Sequence, residues 1–148
     1  MQKHFSIILL VAFFVVVSGC GGGGLKTYPV SGTVTFEGEP LVGATVGFSP
    51  KVAEEGDGGY ARTDNKGFYE LQTSQGKVGA GTTPGEYYVT ITKVDMVGTG
   101  VFMVTSSGER QEETKPVSVI PAKYSSAEAG LTATVKKEKN VFDFDLTK

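Results

Sequence analysis

The stretch from Val30 to Leu71, VSGTVTFEGEPLVGATVGFSPKVAEEGDGGYARTDNKGFYEL, decides the fold. In its first run, Val30, Gly32, Val34 and Phe36 recur at every second position, so they share one face of a β-strand. Gly, Pro and Asn separate this run from the next ones and supply the backbone angles that a chain reversal needs. We predict two hairpins, with strands at about Tyr28–Phe36, Ala44–Ser49, Tyr60–Asp64 and Phe68–Thr73.

Further alternating runs follow in the second half of the chain. In Glu86–Lys93, Tyr87, Val89 and Ile91 alternate with polar or amphipathic residues, which predicts one buried face and one wetter face. The runs Leu131–Val135 and Val141–Leu146 are separated by a Lys-Glu-Lys-Asn turn, and we predict that they form a terminal hairpin. Short strands with frequent turns and no convincing helix favour an all-β fold, an antiparallel β-sandwich of about seven strands.

The segment from 94 to 114 has the least regular pattern. It mixes apolar residues with glycine, serine and an acidic run. Its middle is compatible with an extra short strand or with a hairpin tip, and its end, 106–114, is expected to be disordered or exposed. Residues 116–120 could add one more strand.

The N-terminus has the form of a lipoprotein signal peptide, residues 1–19. Lys3 supplies the positive charge, and an apolar run of roughly 20 Å follows, which is too short for the ~30 Å hydrocarbon core. The sequence Val17-Ser18-Gly19-Cys20 resembles the lipobox of bacterial lipoproteins, which implies a lipid on Cys20 as the first mature residue. The alternative is an ordinary secretory peptide with an incidental cysteine. Residues 20–27 then form a glycine-rich tether, and 28–148 form the domain.

The charge balance argues against nucleic acid as a partner. Without residues 1–19 the chain loses Lys3 from 14 basic residues, leaving 13 against 16 acidic ones, a formal difference of −3. Nucleic-acid binding needs a clustered basic face. The one local cluster, Lys136, Lys137 and Lys139, is interrupted by Glu138 in a predicted turn, as expected of a solvated hairpin tip.

The strand and turn residues resemble the carboxypeptidase regulatory-like domain, a transthyretin-like β-sandwich. The resemblance lies in Val30–Val34 with Pro40–Val46, in the Thr63-Asp64 pair with the turn residue Gly67, and in Pro84–Ile91. The C-terminal region is similar to small lipoproteins of planctomycete-type bacteria in Ile120–Tyr124, Leu131–Val135 and Asn140–Leu146. The resemblance covers nearly all of the predicted mature chain except 94–114. It implies a fold and little about function, because the matching positions are turn and core residues.

Residues suited to catalysis are scarce. His4, the one histidine, lies in the predicted signal peptide, and Cys20, the one cysteine, is expected to carry lipid. The zinc carboxypeptidases and transthyretin-like hydrolases of the wider family rely on histidines, so neither activity transfers to this chain. Asp64 and Asn65 suggest either a weak calcium loop or a turn held by the Asp64 side chain, and the missing glutamate favours the turn. We predict no enzyme activity, no metal and no cofactor.

Three aromatic residues remain candidates for ligand contact. Phe68, Tyr88 and Tyr124 are expected to point outward, where aromatic rings can stack on sugars or contact a protein partner. The alternative is that they cover sheet edges and loop crevices.

These features together predict a lipid-anchored, non-catalytic domain of the cell envelope with a structural, adhesive or protein-interaction role. The alternative is a module that binds carbohydrate or a cell-wall polymer. Possible partners are therefore a membrane through Cys20, an envelope protein or a wall polysaccharide. Gly21 follows the cysteine where some bacteria place an inner-membrane retention signal, which slightly favours the outer membrane.

Overall fold

The computed structural model describes residues 25–53 and 56–148, and in these residues the chain folds as an all-β sandwich of two five-stranded sheets. The predicted fold class is confirmed. The signal peptide, Cys20 and most of the tether lie outside the described residues, as do Glu54 and Glu55.

Twelve strands are present in the described part of the chain. They are β1 Val30–Phe36, β2 Glu39–Pro40, β3 Thr45–Pro50, β4 Gly59–Arg62, β5 Phe68–Glu70, β6 Gln72–Thr73, β7 Gly85–Thr92, β8 Val94–Val104, β9 Arg110–Ser118, β10 Thr132–Val135, β11 Asn140–Val141 and β12 Phe144–Leu146. Two short 3₁₀ helices, Ala122–Ser125 and Ala127–Ala129, precede β10.

The first sheet is built around β1. Strands β2 and β5 pair with β1 in the antiparallel direction, whereas β11 and β12 pair with it in the parallel direction. Val34 lies opposite Phe144, and Phe36 lies opposite Leu146. The sandwich is therefore antiparallel except where its last two strands join its first.

The second sheet has the order β10-β7-β3-β4-β6, and every pair in it is antiparallel. Strand β3 is central, with Val46 opposite both Ala61 on β4 and Ile91 on β7. The inner faces of the two sheets pack on each other, and the period-two residues of the sequence meet there. The largest fully buried side chains are Tyr69, Tyr87, Phe48, Leu71, Ile91, Leu146, Val30, Val34, Val46 and Val89.

Of the two predicted N-terminal hairpins, the second is confirmed in part, because β4 pairs with β6 inside the predicted strand Phe68–Thr73, whereas β5 pairs with β1. The first is wrong in its pairing, although its strands are present. Glu37 and Gly38 both have positive φ, so β1 reverses within two residues and pairs with β2. The chain then crosses to the other sheet, which places β3 and β4 opposite β1 and β5. This crossing allows each alternating run to bury its apolar face against the facing sheet.

The predicted terminal hairpin is also wrong. Strand β10 pairs with β7 in the second sheet, whereas β11 and β12 pair with β1 in the first. The buried Asn140 side chain stabilises the crossing: its Oδ1 accepts from the Lys136 amide at 2.9 Å, and its Nδ2 donates to the carbonyls of Lys136 and Glu138. A turn-like sequence thus connects the two layers instead of reversing within one.

Residues Val94–Ser118 form an exposed two-stranded hairpin, β8 paired with β9, which we call the arm. The predicted exposure of 106–114 is confirmed. Disorder was the other expectation for this segment, and residues 110–114 instead belong to the regular strand β9. The suggested strand at 116–120 is the end of β9. Among the residues that the structure describes, no helix has the length and apolar character to cross a membrane.

Candidate functional site

Two of the three predicted aromatic contacts are exposed. Phe68 is 39% exposed on β5, and Tyr88 is 37% exposed on β7. Each follows from strand alternation, because the neighbouring Tyr69 and Tyr87 point into the core. Leu71, two residues after Tyr69, points inward as well.

The prediction that Tyr124 points outward is wrong. Tyr124 is buried, and its hydroxyl donates to the Thr147 carbonyl at 3.0 Å and accepts from the Thr147 amide at 3.1 Å. The 3₁₀ helix that carries it turns the ring beneath the C-terminal end of the chain. Tyr124 therefore fastens the last residues to the sandwich and is not available for stacking on a ligand.

Tyr60 is an exposed aromatic residue that the sequence analysis did not select. It lies on the outer face of β4, opposite Gly47 on β3, and Tyr88 lies opposite the neighbouring Ser49. Strand spacing places the Cα atoms of Tyr60 and Tyr88 about 12 Å apart on the same face. The space above Gly47, which has no side chain, is taken by Thr90, whose Oγ1 would lie 2.9 Å from a Cβ at that position. The alternation of Tyr60 with the small Ala61 was the signal that could have identified it.

Phe68 forms one wall of a shallow cleft of about 440 Å³, which we call the Phe68 cleft. The cleft is lined by Arg62, Asp64, Phe68, Glu70, Gln72 and Val78. Asp64 positions the ring, because its Oδ1 accepts from the Phe68 amide at 2.9 Å and from the Lys66 amide at 2.8 Å. These bonds confirm that the Asp64 side chain stabilises the turn. An aromatic ring with charged and amide side chains around it is suited to a ligand that has both apolar faces and hydroxyl groups.

The ring of Tyr88 is less available than that of Phe68. Lys51 Nζ lies 5.6 Å from the ring centroid of Tyr88 and 3.1 Å from Glu86 Oε2. The lysine stem thus covers part of the ring and the ammonium is paired. Phe68 is the better platform of the two.

The described residues contain no candidate metal centre. Within 25–53 and 56–148, no group of three His, Cys, Asp or Glu side chains is arranged to hold a metal ion. One carboxylate oxygen of Asp64 accepts hydrogen bonds from two backbone amides. This arrangement is the side-chain-stabilised turn that the sequence favoured over a calcium loop.

The arm is a second candidate surface. Its large apolar side chains are all at least 39% exposed and lie mostly on β8: Val94, Met96, Val97, Val101, Phe102, Met103, Val104 and Val117. Strand β9 carries the charges, with Arg110, Glu112, Glu113 and Lys115 among its nine residues. So many exposed large apolar side chains on one element are typical of protein-interaction sites.

Comparison with known proteins adds two distant structural alignments. A 9R-lipoxygenase from Cyanothece PCC8801 aligns with 83% of this chain and 16% of its own, at 12% identity and a TM-score of 0.38. A chlorocatechol 1,2-dioxygenase from Pseudomonas putida aligns with 86% of this chain and 62% of its own, at 16% identity and a TM-score of 0.37. At these TM-scores neither alignment bears on function. No protein-family model and no curated protein matches the chain.

Proposed function

We propose that this chain is a lipid-anchored, non-catalytic domain of the cell envelope, of the carboxypeptidase regulatory-like type, whose role is to bind another protein chain. The N-terminal pattern ending in Cys20 supports the anchor, and the turn and core pattern supports the family. The scarcity of histidine and thiol groups supports a binding role over a catalytic one.

The observation that carries the binding role is the arm. An isolated two-stranded hairpin is marginally stable in water, and burial of one apolar face is what normally stabilises it. Here the apolar residues of β8 stay in solvent, although Ile91 and Val89 on the preceding strand β7 are fully buried. A partner protein that covers β8 would supply the missing burial.

Removal of the arm tests this role without disturbing the sandwich. The Val119 amide donates to the Lys93 carbonyl at 2.9 Å, so the two ends of the arm are already adjacent. Replacing residues 94–118 with a short Gly-Asn turn should leave the melting temperature of the sandwich within a few degrees. In intact cells, chemical crosslinks between this chain and its protein partners should disappear. Unchanged crosslinks in the arm-less variant would refute the role of the arm.

The anchor has a separate test. Cys20→Ala should abolish incorporation of labelled palmitate and release the protein from the membrane fraction. Ser18→Ala keeps a small residue in the same region and serves as the matched control. Continued labelling of the Cys20→Ala protein would contradict the anchor while leaving the binding role open to its own test.

A second candidate function is the binding of carbohydrate or a wall polymer, and the Phe68 cleft is the observation that favours it. Phe68→Ala should reduce saturable co-sedimentation of the full chain with purified sacculi, because the stacking platform is lost. Tyr124→Phe is the matched control, since that ring is buried away from ligand. Equal binding by wild type and Phe68→Ala would exclude the Phe68 cleft as the binding site for the wall polymer.

A further inference from the structure

We propose that the chain covered by the arm is a second copy of this protein, and that the two copies pair antiparallel along their β8 strands about a two-fold axis at Thr99. This inference rests on the proposed binding role of the arm and names its partner. It assigns an interaction edge, a register and a symmetry.

The two edges of the arm differ in how they are protected. Proline and lysine are residues that discourage edge-to-edge pairing, and β9 contains both, at Pro116 and Lys115. Strand β8 has eleven residues with neither proline nor a basic residue, and its single charge, Asp95, is paired with Lys93. The unprotected edge is therefore the apolar one.

The backbone groups of β8 that face away from β9 can be assigned from two hydrogen bonds. The Val119 amide donates to the Lys93 carbonyl, and the Thr105 amide donates to the Glu109 carbonyl, each at 2.9 Å. Alternate residues of an antiparallel strand bond to the same neighbour, so odd-numbered residues bond toward β9. In the two regular stretches of β8, the amides and carbonyls of the even-numbered residues, such as Met96 and Phe102, point toward the free edge. Gly100, in the irregular segment, is an exception, because its amide donates to Glu112 Oε1 at 2.9 Å.

The sequence of β8 is nearly symmetric about Thr99. It runs Val-Asp-Met-Val-Gly-Thr-Gly-Val-Phe-Met-Val from Val94 to Val104. In a two-fold pairing centred on Thr99, Val94 meets Val104, Met96 meets Phe102, Val97 meets Val101, and Asp95 meets Met103. An interface of this symmetry requires that if one residue contacts a second, the second also contacts the first. Three kinds of opposed pair are therefore apolar, and the one mismatched pair places Asp95, already held by Lys93, opposite Met103.

This register also agrees with the side-chain faces of β8 and with the backbone groups at its free edge. Opposed residues have the same parity, so Met96 and Phe102 lie on one face of the new sheet and Val97 and Val101 on the other. Val94, Met96, Phe102 and Val104 are the opposed even-numbered residues of the two regular stretches, and their backbone groups would form about eight hydrogen bonds between the copies. The irregular segment between Gly98 and Phe102 lies on the axis, with regular pairing on both sides.

A disulfide crosslink tests the axis directly. Thr99 is odd-numbered, so Thr99 and its counterpart would form a non-hydrogen-bonded pair with Cα atoms about 4.5 Å apart, within disulfide range. In membranes from cells that express the full chain, Thr99→Cys should give a covalent dimer on mild oxidation. Glu113→Cys, on β9 beside Thr99, is the matched control and should remain monomeric, as should wild type with Cys20 alone. Absence of the dimer, or equal dimer from both variants, would overturn the proposal.

A charge exchange tests the register in the same background. Met96→Glu or Phe102→Lys alone should weaken dimerisation about tenfold, because each places a charge against an apolar side chain. The double variant places opposite charges together and should recover most of the crosslink. Failure of the double variant to recover would reject this register. If Thr99→Cys gives no dimer but the arm still forms crosslinks to another protein, the second-copy inference fails and the proposed binding role stands.

Discussion

The hydroxyl of Tyr69 donates a hydrogen bond to the carbonyl of Phe142 across a distance of 2.8 Å. Tyr69 lies on β5 and Phe142 lies between β11 and β12, and these segments flank β1 on opposite sides. Gly32 of β1 lies beneath this bond, and a Cβ at that position would lie 1.8 Å from the Phe142 oxygen. One partly buried bond therefore links the segments on the two sides of β1 across the centre of the first sheet.

We expect Tyr69→Phe to destabilise the domain by about 1–2 kcal/mol, because the Phe142 carbonyl loses its side-chain donor while the ring remains. Urea unfolding followed by intrinsic fluorescence or circular dichroism measures this difference. Tyr88→Phe is the control, since that ring lies on the outer face. An equal loss in both variants would show that the bond itself contributes nothing.

The domain should lose stability in alkaline solution, in part through Tyr69. Burial raises the pKa of Tyr69 well above its usual value, and the neighbouring Asp143 carboxylate raises it further. Above pH 10 the unfolded chain releases this proton and the folded chain keeps it, so the contribution is complete below about pH 10 and is lost as the pH rises. The free energy of unfolding between pH 8 and 11 should fall more steeply in wild type than in Tyr69→Phe. Parallel curves would contradict this role.

Gly32→Ala should be severely destabilising, by more than about 3 kcal/mol. The added methyl group would overlap the backbone oxygen of Phe142, so β1 and the neighbouring segment could not both keep their positions. Ser31→Ala, one residue away, is the control and should change the melting temperature little. A soluble Gly32→Ala protein with a normal melting temperature would mean that the C-terminal strands can shift without cost.

Thr63→Val should lower the free energy of unfolding by about 2–4 kcal/mol, although the two side chains have almost the same shape. The buried Thr63 hydroxyl accepts from the Ala44 amide at 2.8 Å and donates to the Leu41 carbonyl, so valine leaves both backbone groups unsatisfied. Thr45→Val removes a hydroxyl from an exposed position of β3 and is the matched control. Thermal unfolding of the two variants should differ by several degrees, and equal values would exclude this contribution.

Much of the fold was predictable because a strand with one buried face has a two-residue period. Val30, Tyr69, Tyr87 and Val135 all point inward as the alternation predicts. The pairing of strands was less predictable. A turn such as that at 136–139 looks the same in sequence whether the chain reverses within a sheet or crosses between sheets. The difference is set by contacts between residues far apart in the chain, such as Val34 with Phe144.

The candidate surfaces were predictable only in part. The two-residue alternation was enough to predict that Phe68 and Tyr88 are exposed. Tyr124 lies on a 3₁₀ helix, where a two-residue period does not apply. The Phe68 cleft joins residues from β4, β5, β6 and a loop, so its composition depends on the crossing of the chain between sheets. The length of the arm was hidden by the glycines at 98 and 100, which interrupt the pattern of β8.

The parallel pairing of β1 with β11 and β12 has a mechanical consequence. Val30 lies beside Asn140 and Phe36 lies beside Leu146, so the two ends of the domain leave the first sheet in opposite directions. A pulling force between the N-terminal side of Val30 and the C-terminal side of Leu146 would load these hydrogen bonds in shear. The bonds would then have to fail together instead of one after another. We therefore expect this sheet to resist such a force better than a sheet whose strands separate one hydrogen bond at a time.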